Sequence, residues 1–143
     1  MRVLVADDDP AYRSLLQNLL AEWNYEVLEA CDGNEAWQAM QEPEKPNLVI
    51  LDWMMPGMDG FELARLIRSD PSIENTYVIL VTGTRNKEDI MKVLVCGADD
   101  YLLKPFDPMD LKIHLRSATR IIHLQEDLSD LKRKLSLSVD STT

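Results

Sequence analysis

The sequence predicts an α/β domain built on a parallel β-sheet. Five short apolar runs alternate along the chain with five stretches of helical periodicity. This alternation is typical of a parallel sheet whose right-handed crossovers cover both faces with helices. With 143 residues, 45% of them hydrophobic, the chain is long enough for one such core.

The first half of the chain contains three predicted strands and two predicted helices. Asp9 and Pro10 mark the first helix start, because an Asp caps free amides and a Pro fits the first turn. Leucines from Leu15 to Leu20 recur at helical spacing and end at Trp23. The predicted elements are a strand at 3–6, a helix at 11–23, a strand at 26–30, a helix at 34–41 and a strand at 48–51.

The second half continues the same alternation. Ser69-Asp70-Pro71 ends the third helix, and Gly97 ends the fourth as a left-handed cap. The predicted elements are a helix at 60–68, a strand at 77–81, a helix at 87–96, a strand at 99–103 and a last helix that begins near Pro108 and runs past the compact domain.

Polar side chains follow four of the five strands at the point where each strand ends. Asp7 and Asp8 follow the first strand, Asp52 the third, Thr82 the fourth and Lys104 the fifth. Taken alone, Asp52 would be explained better as a turn residue or a helix cap than as a functional group, because Asp is common in turns. Because the carboxyl ends of parallel strands form the ligand-binding edge of an open α/β sheet, these residues together predict one pocket.

The residue types in this pocket suit phosphoryl transfer. Three neighbouring carboxylates repel one another unless a cation is present, and oxygen ligands favour Mg²⁺. Lys104 supplies positive charge and Thr82 a hydrogen-bond donor for a phosphoryl group. No base-activated Ser or Cys accompanies them, so the carboxylate of Asp52 is the candidate nucleophile and would form an acyl phosphate.

Composition excludes several other classes. With 15 basic and 25 acidic residues and a net charge of −10, the chain is a poor direct partner for nucleic acid. Cys31 and Cys96 lie far apart without a CxxC motif, which argues against a zinc site or a redox pair. The chain opens on a strand rather than a signal peptide and has no apolar run that could span a membrane. We expect a cytoplasmic protein.

Five motifs resemble the receiver domain of response regulators in two-component signalling. They cover residues 2 to about 122 and are 5–10 (VADDDP), 51–60 (LDWMMPGMDG), 81–84 (VTGT), 97–101 (GADDY) and 103–106 (LKPF). The resemblance implies a flavodoxin-like, doubly wound five-stranded sheet of order 2-1-3-4-5. It also implies a switch that receives phosphate, not an enzyme with its own substrate.

The resemblance implies roles for the acidic residues. Asp52 would accept phosphate from a histidine kinase or a phosphotransfer protein. Asp8 would bind Mg²⁺, or Mn²⁺, together with Asp52 and the backbone carbonyl of Met54. Asp7 would act on the metal partly through water.

It also implies a switch. Lys104 would pair with the phosphoryl oxygens, and Thr82 would move toward them after phosphorylation. Tyr101 would then swing inward and reshape the face formed by helix four, strand five and helix five. Gly83 follows Thr82 where the family usually has a small residue, often Ala. His114, on the last helix, is interpreted as a surface or core-edge residue.

The last helix carries a possible dimer seam. Apolar residues recur at alternating spacings of three and four, as in a coiled coil, from Ile121 through Leu124, Leu128 and Leu131 to Leu135. The sequence therefore predicts a receiver at 1–122, a helical extension at 123–136 and a disordered polar tail at 137–143. The extension could be a fraying helix, a homodimer stalk or a linker to an output domain. The face of helix four, strand five and helix five is a second possible dimer interface.

Two other functions use similar elements. An aspartyl-phosphate phosphatase would need an acid/base Asp two residues after the nucleophile, where this chain has Met54. A flavodoxin-like cofactor binder would need a Gly- and Ser/Thr-rich phosphate loop after the first strand, where this chain has three carboxylates.

Overall fold

A five-stranded parallel sheet of order β2-β1-β3-β4-β5 forms the centre of the protein. The computed structural model describes residues 1–83 and 86–141, with side chains described as far as residue 137. This topology confirms the predicted fold class. The strands are β1 (Arg2–Ala6), β2 (Glu26–Ala30), β3 (Leu48–Asp52), β4 (Tyr77–Thr82) and β5 (Asp100–Leu103).

Five helices cover the two faces of the sheet. They are α1 (Pro10–Glu22), α2 (Gly33–Met40), α3 (Gly60–Ser69), α4 (Lys87–Val95) and α5 (Pro108–Ser141). Buried side chains of α1 and α5 share one core cluster, and those of α2, α3 and α4 share the other. Along β3, Leu48 and Ile50 join the first cluster while Val49 and Leu51 join the second, since successive side chains of a strand point to opposite faces.

Arg68 connects three segments behind the sheet. Its guanidinium donates to the carbonyls of Glu74 and Gly97, each at 2.7 Å, and forms an ion pair with Asp99. Asp99 in turn accepts a hydrogen bond from the amide of Val78 at 2.8 Å. These bonds fix the connection that leads into β5 and therefore help to position Lys104 at the end of that strand.

Helix α5 differs from the prediction at its end. Among the side chains that the structure describes, Ile122 is the last buried one of this helix, at 3% exposure. The receiver boundary at residue 122 stays a prediction. The helix nevertheless continues to Ser141, so the disorder predicted for 137–143 does not apply as far as that residue. No Gly or Pro between 136 and 141 interrupts the helix. Residues 142–143, like Thr84, lie outside the described residues.

No helix within the described residues is long and apolar enough to cross a membrane.

Candidate functional site

The ends of β1, β3 and β5 bring a cation and two carboxylates together. The register pairs Ala6 with Leu51 and Thr82 with Leu103, so the residues that follow these strands meet at one edge. The ammonium of Lys104 lies 3.2 Å from Oδ2 of Asp7 and 3.3 Å from Oδ1 of Asp52. These three side chains therefore lie together at the edge of the sheet where the sequence predicts a pocket.

Burial makes this group of charges unusual. The side chain of Asp7 is 1% exposed and that of Asp52 is 12% exposed. Burial, and then the negative charge of Asp7, raise the pKa of Asp52 to about 6 against the opposing effect of Lys104. Burial alone would lower the pKa of Lys104, but Asp52 and Asp7 outweigh it and raise that pKa. One ammonium thus faces more negative charge than it can neutralise.

Asp8 adds a third carboxylate to the site. One carboxylate oxygen from each of Asp7, Asp8 and Asp52 lies within 4.8 Å of the others. The Asp8 side chain is exposed, and no described residue forms a hydrogen bond or an ion pair with it. The donor set consists of oxygen atoms and carries excess negative charge, which fits a hard divalent cation such as Mg²⁺.

The loop after β3 is held against the sheet by close backbone contacts. The amide of Trp53 donates to the carbonyl of Val81, and the amide of Gly60 donates to the carbonyl of Trp53, both at 2.9 Å. A Cβ atom at Gly60 would lie 2.4 Å from the Asp52 carbonyl oxygen, so only glycine allows this approach. Met54 lies in this loop with its side chain 74% exposed. Its predicted part in metal binding involves only its backbone.

The two predicted switch residues lie on adjacent strands. Thr82 is buried at the end of β4, and its carbonyl accepts a hydrogen bond of 2.8 Å from the amide of Lys104. Tyr101 lies opposite Leu80 on β5, half-buried and packed against the core cluster formed with α2, α3 and α4. A short backbone path therefore joins the pocket to Tyr101. Motion along this path stays a prediction.

The comparisons with known proteins agree with this geometry. The family model for the response regulator receiver domain matches residues 3–116.

The chain belongs to the response-regulator receiver family.

Its relatives include both short and long proteins. The chemotaxis protein CheY1 of Helicobacter pylori is 36% identical over 78% of this chain and 91% of its own length. The probable transcriptional regulator ycf27 of Cyanophora paradoxa is 40% identical over 83% of this chain, and the response regulator PleD of Caulobacter vibrioides is 41% identical over the same share. These matches cover 48% of ycf27 and 26% of PleD, so the chain spans only part of such relatives.

Solved structures support the same assignment. The chemotaxis response regulator CheY4 of Vibrio cholerae has a TM-score of 0.77 and 31% identity over 82% of this chain and 97% of its own. A putative response regulator from Chloroflexus aurantiacus also has a TM-score of 0.77, with 30% identity over 82% of this chain and 95% of its own. The flavodoxin-like receiver fold is thus confirmed.

Two features of this receiver were not predicted from its sequence. The ammonium of Lys104 lies 4.1 Å from the ring centroid of Tyr12, and the ring of Phe106 lies 6.0 Å from that of Tyr12. Tyr12 is in the first turn of the helix that follows Asp7 and Asp8, and this position is the signal that could have identified it. In addition, Nδ1 of His114, which was interpreted as a surface or core-edge residue, contacts the carboxylate of Asp100 and so joins α5 to β5.

Proposed function

We propose that this receiver is a phosphorylation-controlled switch that accepts a phosphoryl group on Asp52 from a histidine kinase or a phosphotransfer protein. The observation that carries the proposal is the position of the Asp52 carboxylate. It lies at the end of the central strand, 3.3 Å from the Lys104 ammonium and beside Asp7 and Asp8. Nucleophile, counter-charge and metal ligands are all present at one edge of the receiver fold.

The transfer step needs little beyond position and charge. A carboxylate oxygen of Asp52 attacks the phosphorus of the donor, the bond from phosphorus to the donor nitrogen breaks, and an acyl phosphate forms. Lys104 stabilises the charge on the phosphoryl oxygens, while Asp7 holds the ammonium in place at 3.2 Å. Asp7, Asp8, Asp52 and the Met54 carbonyl would hold Mg²⁺ or Mn²⁺, which offsets the negative charge of the phosphoryl group when bound.

The residue two positions after Asp52 argues against a phosphatase of the aspartyl-phosphate kind. A phosphatase of the aspartyl-phosphate kind requires an acid/base group two residues after its nucleophile, and Met54 provides none. We therefore propose that the chain catalyses at most its own phosphorylation and the loss of that phosphate.

The phosphoryl charge would operate the switch. It adds about −1.5 to −2 charges at neutral pH, together with new acceptor oxygens. These would draw the Thr82 hydroxyl toward Asp52 and leave space for Tyr101 to move inward. The face formed by α4, β5 and α5 would change shape as a result. Amide NMR shifts test this coupling. Beryllofluoride, a phosphate mimic, should move the signals of Thr82 and Tyr101, and unmoved signals would contradict it.

The signal would leave the receiver by protein contacts in the cytoplasm. Either a homodimer, formed through α5 or through the α4–β5–α5 face, or a downstream output domain would respond to the switch. The net charge of −10 speaks against direct binding to nucleic acid.

Intact mass spectrometry after incubation with acetyl phosphate and Mg²⁺ tests the acceptor. We expect a single phosphate adduct that is absent in Asp52→Asn. Asp70→Asn is the matched control, because the partly exposed Asp70 lies outside the pocket and its carboxylate accepts hydrogen bonds from Ser72 in its own turn. It should keep the adduct. An adduct that persists in Asp52→Asn would overturn the assignment.

A further inference from the structure

The part of α5 beyond the receiver core exposes a continuous apolar stripe. Four leucines are each more than half exposed, although a stripe of this size is usually covered in soluble proteins. They recur at spacings of four and three, which places them on one side of the helix. They are Leu124 at 59%, Leu128 at 52%, Leu131 at 54% and Leu135 at 59% exposure.

A basic groove lies next to this stripe. It has a volume of about 580 Å³, between the end of α1 and α5, with Trp23 and Leu115 among its apolar lining residues. Lys112, Arg116 and Arg120 line it as well, and the Lys112 ammonium lies 5.5 Å from the Trp23 ring. None of these three cations has an ion-pair partner in the part of the chain that the structure describes. In a chain of net charge −10, such a patch favours an acidic occupant.

The same chain contains a segment of the required chemistry. Asp127 directly precedes Leu128, so its carboxylate borders the apolar stripe. Arg120 directly precedes Ile121 in the same way. Arg120 and Asp127 therefore lie on one side of the stripe, which is the side of the groove.

We propose that a second copy of the chain covers the stripe and the groove with its own α5, in antiparallel orientation. When two identical helices pair in parallel, opposite sides of their stripes face each other, whereas in an antiparallel pair the same sides meet. Only the antiparallel pair brings Arg120 next to Asp127 of the second copy. Each such contact occurs twice in the symmetric dimer.

The orientation also matches the apolar surfaces. The reversal places the leucines of one helix along the partner's α5 beside the groove, where the half-buried Trp23 lies. A parallel pair would leave both grooves empty and their cations without acidic neighbours. The inference rests on the proposed homodimer, but it does not depend on the chemistry of Asp52.

Charge exchange tests the contact, with light scattering after size exclusion as the measurement. We expect the 143-residue chain to be a dimer, and both Arg120→Asp and Asp127→Arg to weaken the dimer by about tenfold or more. The double variant should return to within about threefold of the original dissociation constant, since the pair is restored with its charges exchanged. This rescue also shows that the single variants remain folded.

Lys132→Asp is the matched control for Arg120→Asp. It makes the same change in charge, but Lys132 directly follows Leu131 and so lies on the other side of the stripe. The antiparallel dimer should tolerate it. A parallel dimer would instead lose a contact between Lys132 and Asp127, so dissociation of the Lys132→Asp variant would overturn the proposal.

Cysteine crosslinking provides a second test of orientation. In a Cys31→Ser background, the two Cys residues of Leu135→Cys would touch in a parallel dimer. In the antiparallel dimer they would be roughly 35 Å apart, at 1.5 Å per helical residue. The proposal is supported if the chains are dimeric and do not crosslink. It is overturned if they crosslink or are monomeric. Arg120→Asp should still form the phosphate adduct on Asp52. A failed dimer proposal can therefore be told apart from a failed phosphoacceptor assignment.

Discussion

Asp52 combines two properties that conflict at the level of a single residue. It must be ionised to act as a nucleophile, yet its side chain is 12% exposed and lies beside the fully buried Asp7. The pKa of about 6 expresses this conflict, because burial disfavours the charged form and Lys104 compensates only in part. A divalent cation at the three carboxylates would remove the remaining conflict.

We expect Asp52→Asn to stabilise the protein at pH 7 when a chelator keeps divalent ions away. The pKa of Asp52 is raised in the folded state, so its contribution to stability is complete below about pH 4 and is lost as pH rises through about 6. The gain should reach on the order of 1 to 3 kcal/mol at pH 7 and vanish near pH 4. Urea unfolding at both pH values measures it. The variant keeps the ion pair between Lys104 and Asp7. A gain in stability that is equal at both pH values would contradict the explanation by the raised pKa of Asp52.

Tyr12 is a positioning residue in this pocket, since it acts through Lys104. We expect Tyr12→Leu to slow phosphorylation by acetyl phosphate by about three- to tenfold, because the ammonium loses the ring at 4.1 Å. Tyr12→Phe keeps the ring and should stay within about twofold. In a Lys104→Ala background, Tyr12→Leu should have no further effect. A loss that persists in that background would assign Tyr12 a merely structural role.

At the scale of secondary-structure elements, the sequence predicts the site residues that lie at strand ends. It does not predict contacts that depend on how helices and loops pack. Strand ends follow from apolar runs, and parallel strands share an edge, so Asp7, Asp52 and Lys104 could be placed together. Tyr12 could not, because its contact with Lys104 depends on the rotation of α1 about its axis. The end of α5 was also missed, because a polar composition indicates disorder even where nothing interrupts a helix.

The contact between α2 and the loop after β3 is another feature without a sequence signal. A Cβ atom at Gly33 would lie 1.8 Å from the carbonyl oxygen of Met58, a clash with backbone that cannot easily relax. We expect Gly33→Ala to cost about 2 to 3 kcal/mol in chemical denaturation. Gly83→Ala is the matched control, since its Cβ meets nothing within 4 Å among the described residues. It should change stability by less than about 1 kcal/mol. Equal losses in both variants would refute the close contact.

At the scale of the whole molecule, α5 has two parts with different surroundings. Leu111, Leu115, Ala118 and Ile122 are buried and complete the core cluster that α1 also covers. Beyond Ile122, described side chains are exposed or nearly so, and the helix adds surface rather than core. The receiver should therefore fold without the second part, while the dimer should require it.

We expect a chain that ends at residue 125 to keep the melting temperature of the 143-residue monomer within about 3 °C, because none of the described side chains that the deletion removes is buried. The 143-residue Arg120→Asp variant is the reference, since dimerisation itself stabilises the original chain. A chain that ends at residue 117 removes the buried Ala118 and Ile122 and should lose several kcal/mol. The 125-residue chain should also form the phosphate adduct and remain monomeric. If it unfolded like the shorter chain, the boundary of the receiver would lie further along α5 than its burial indicates.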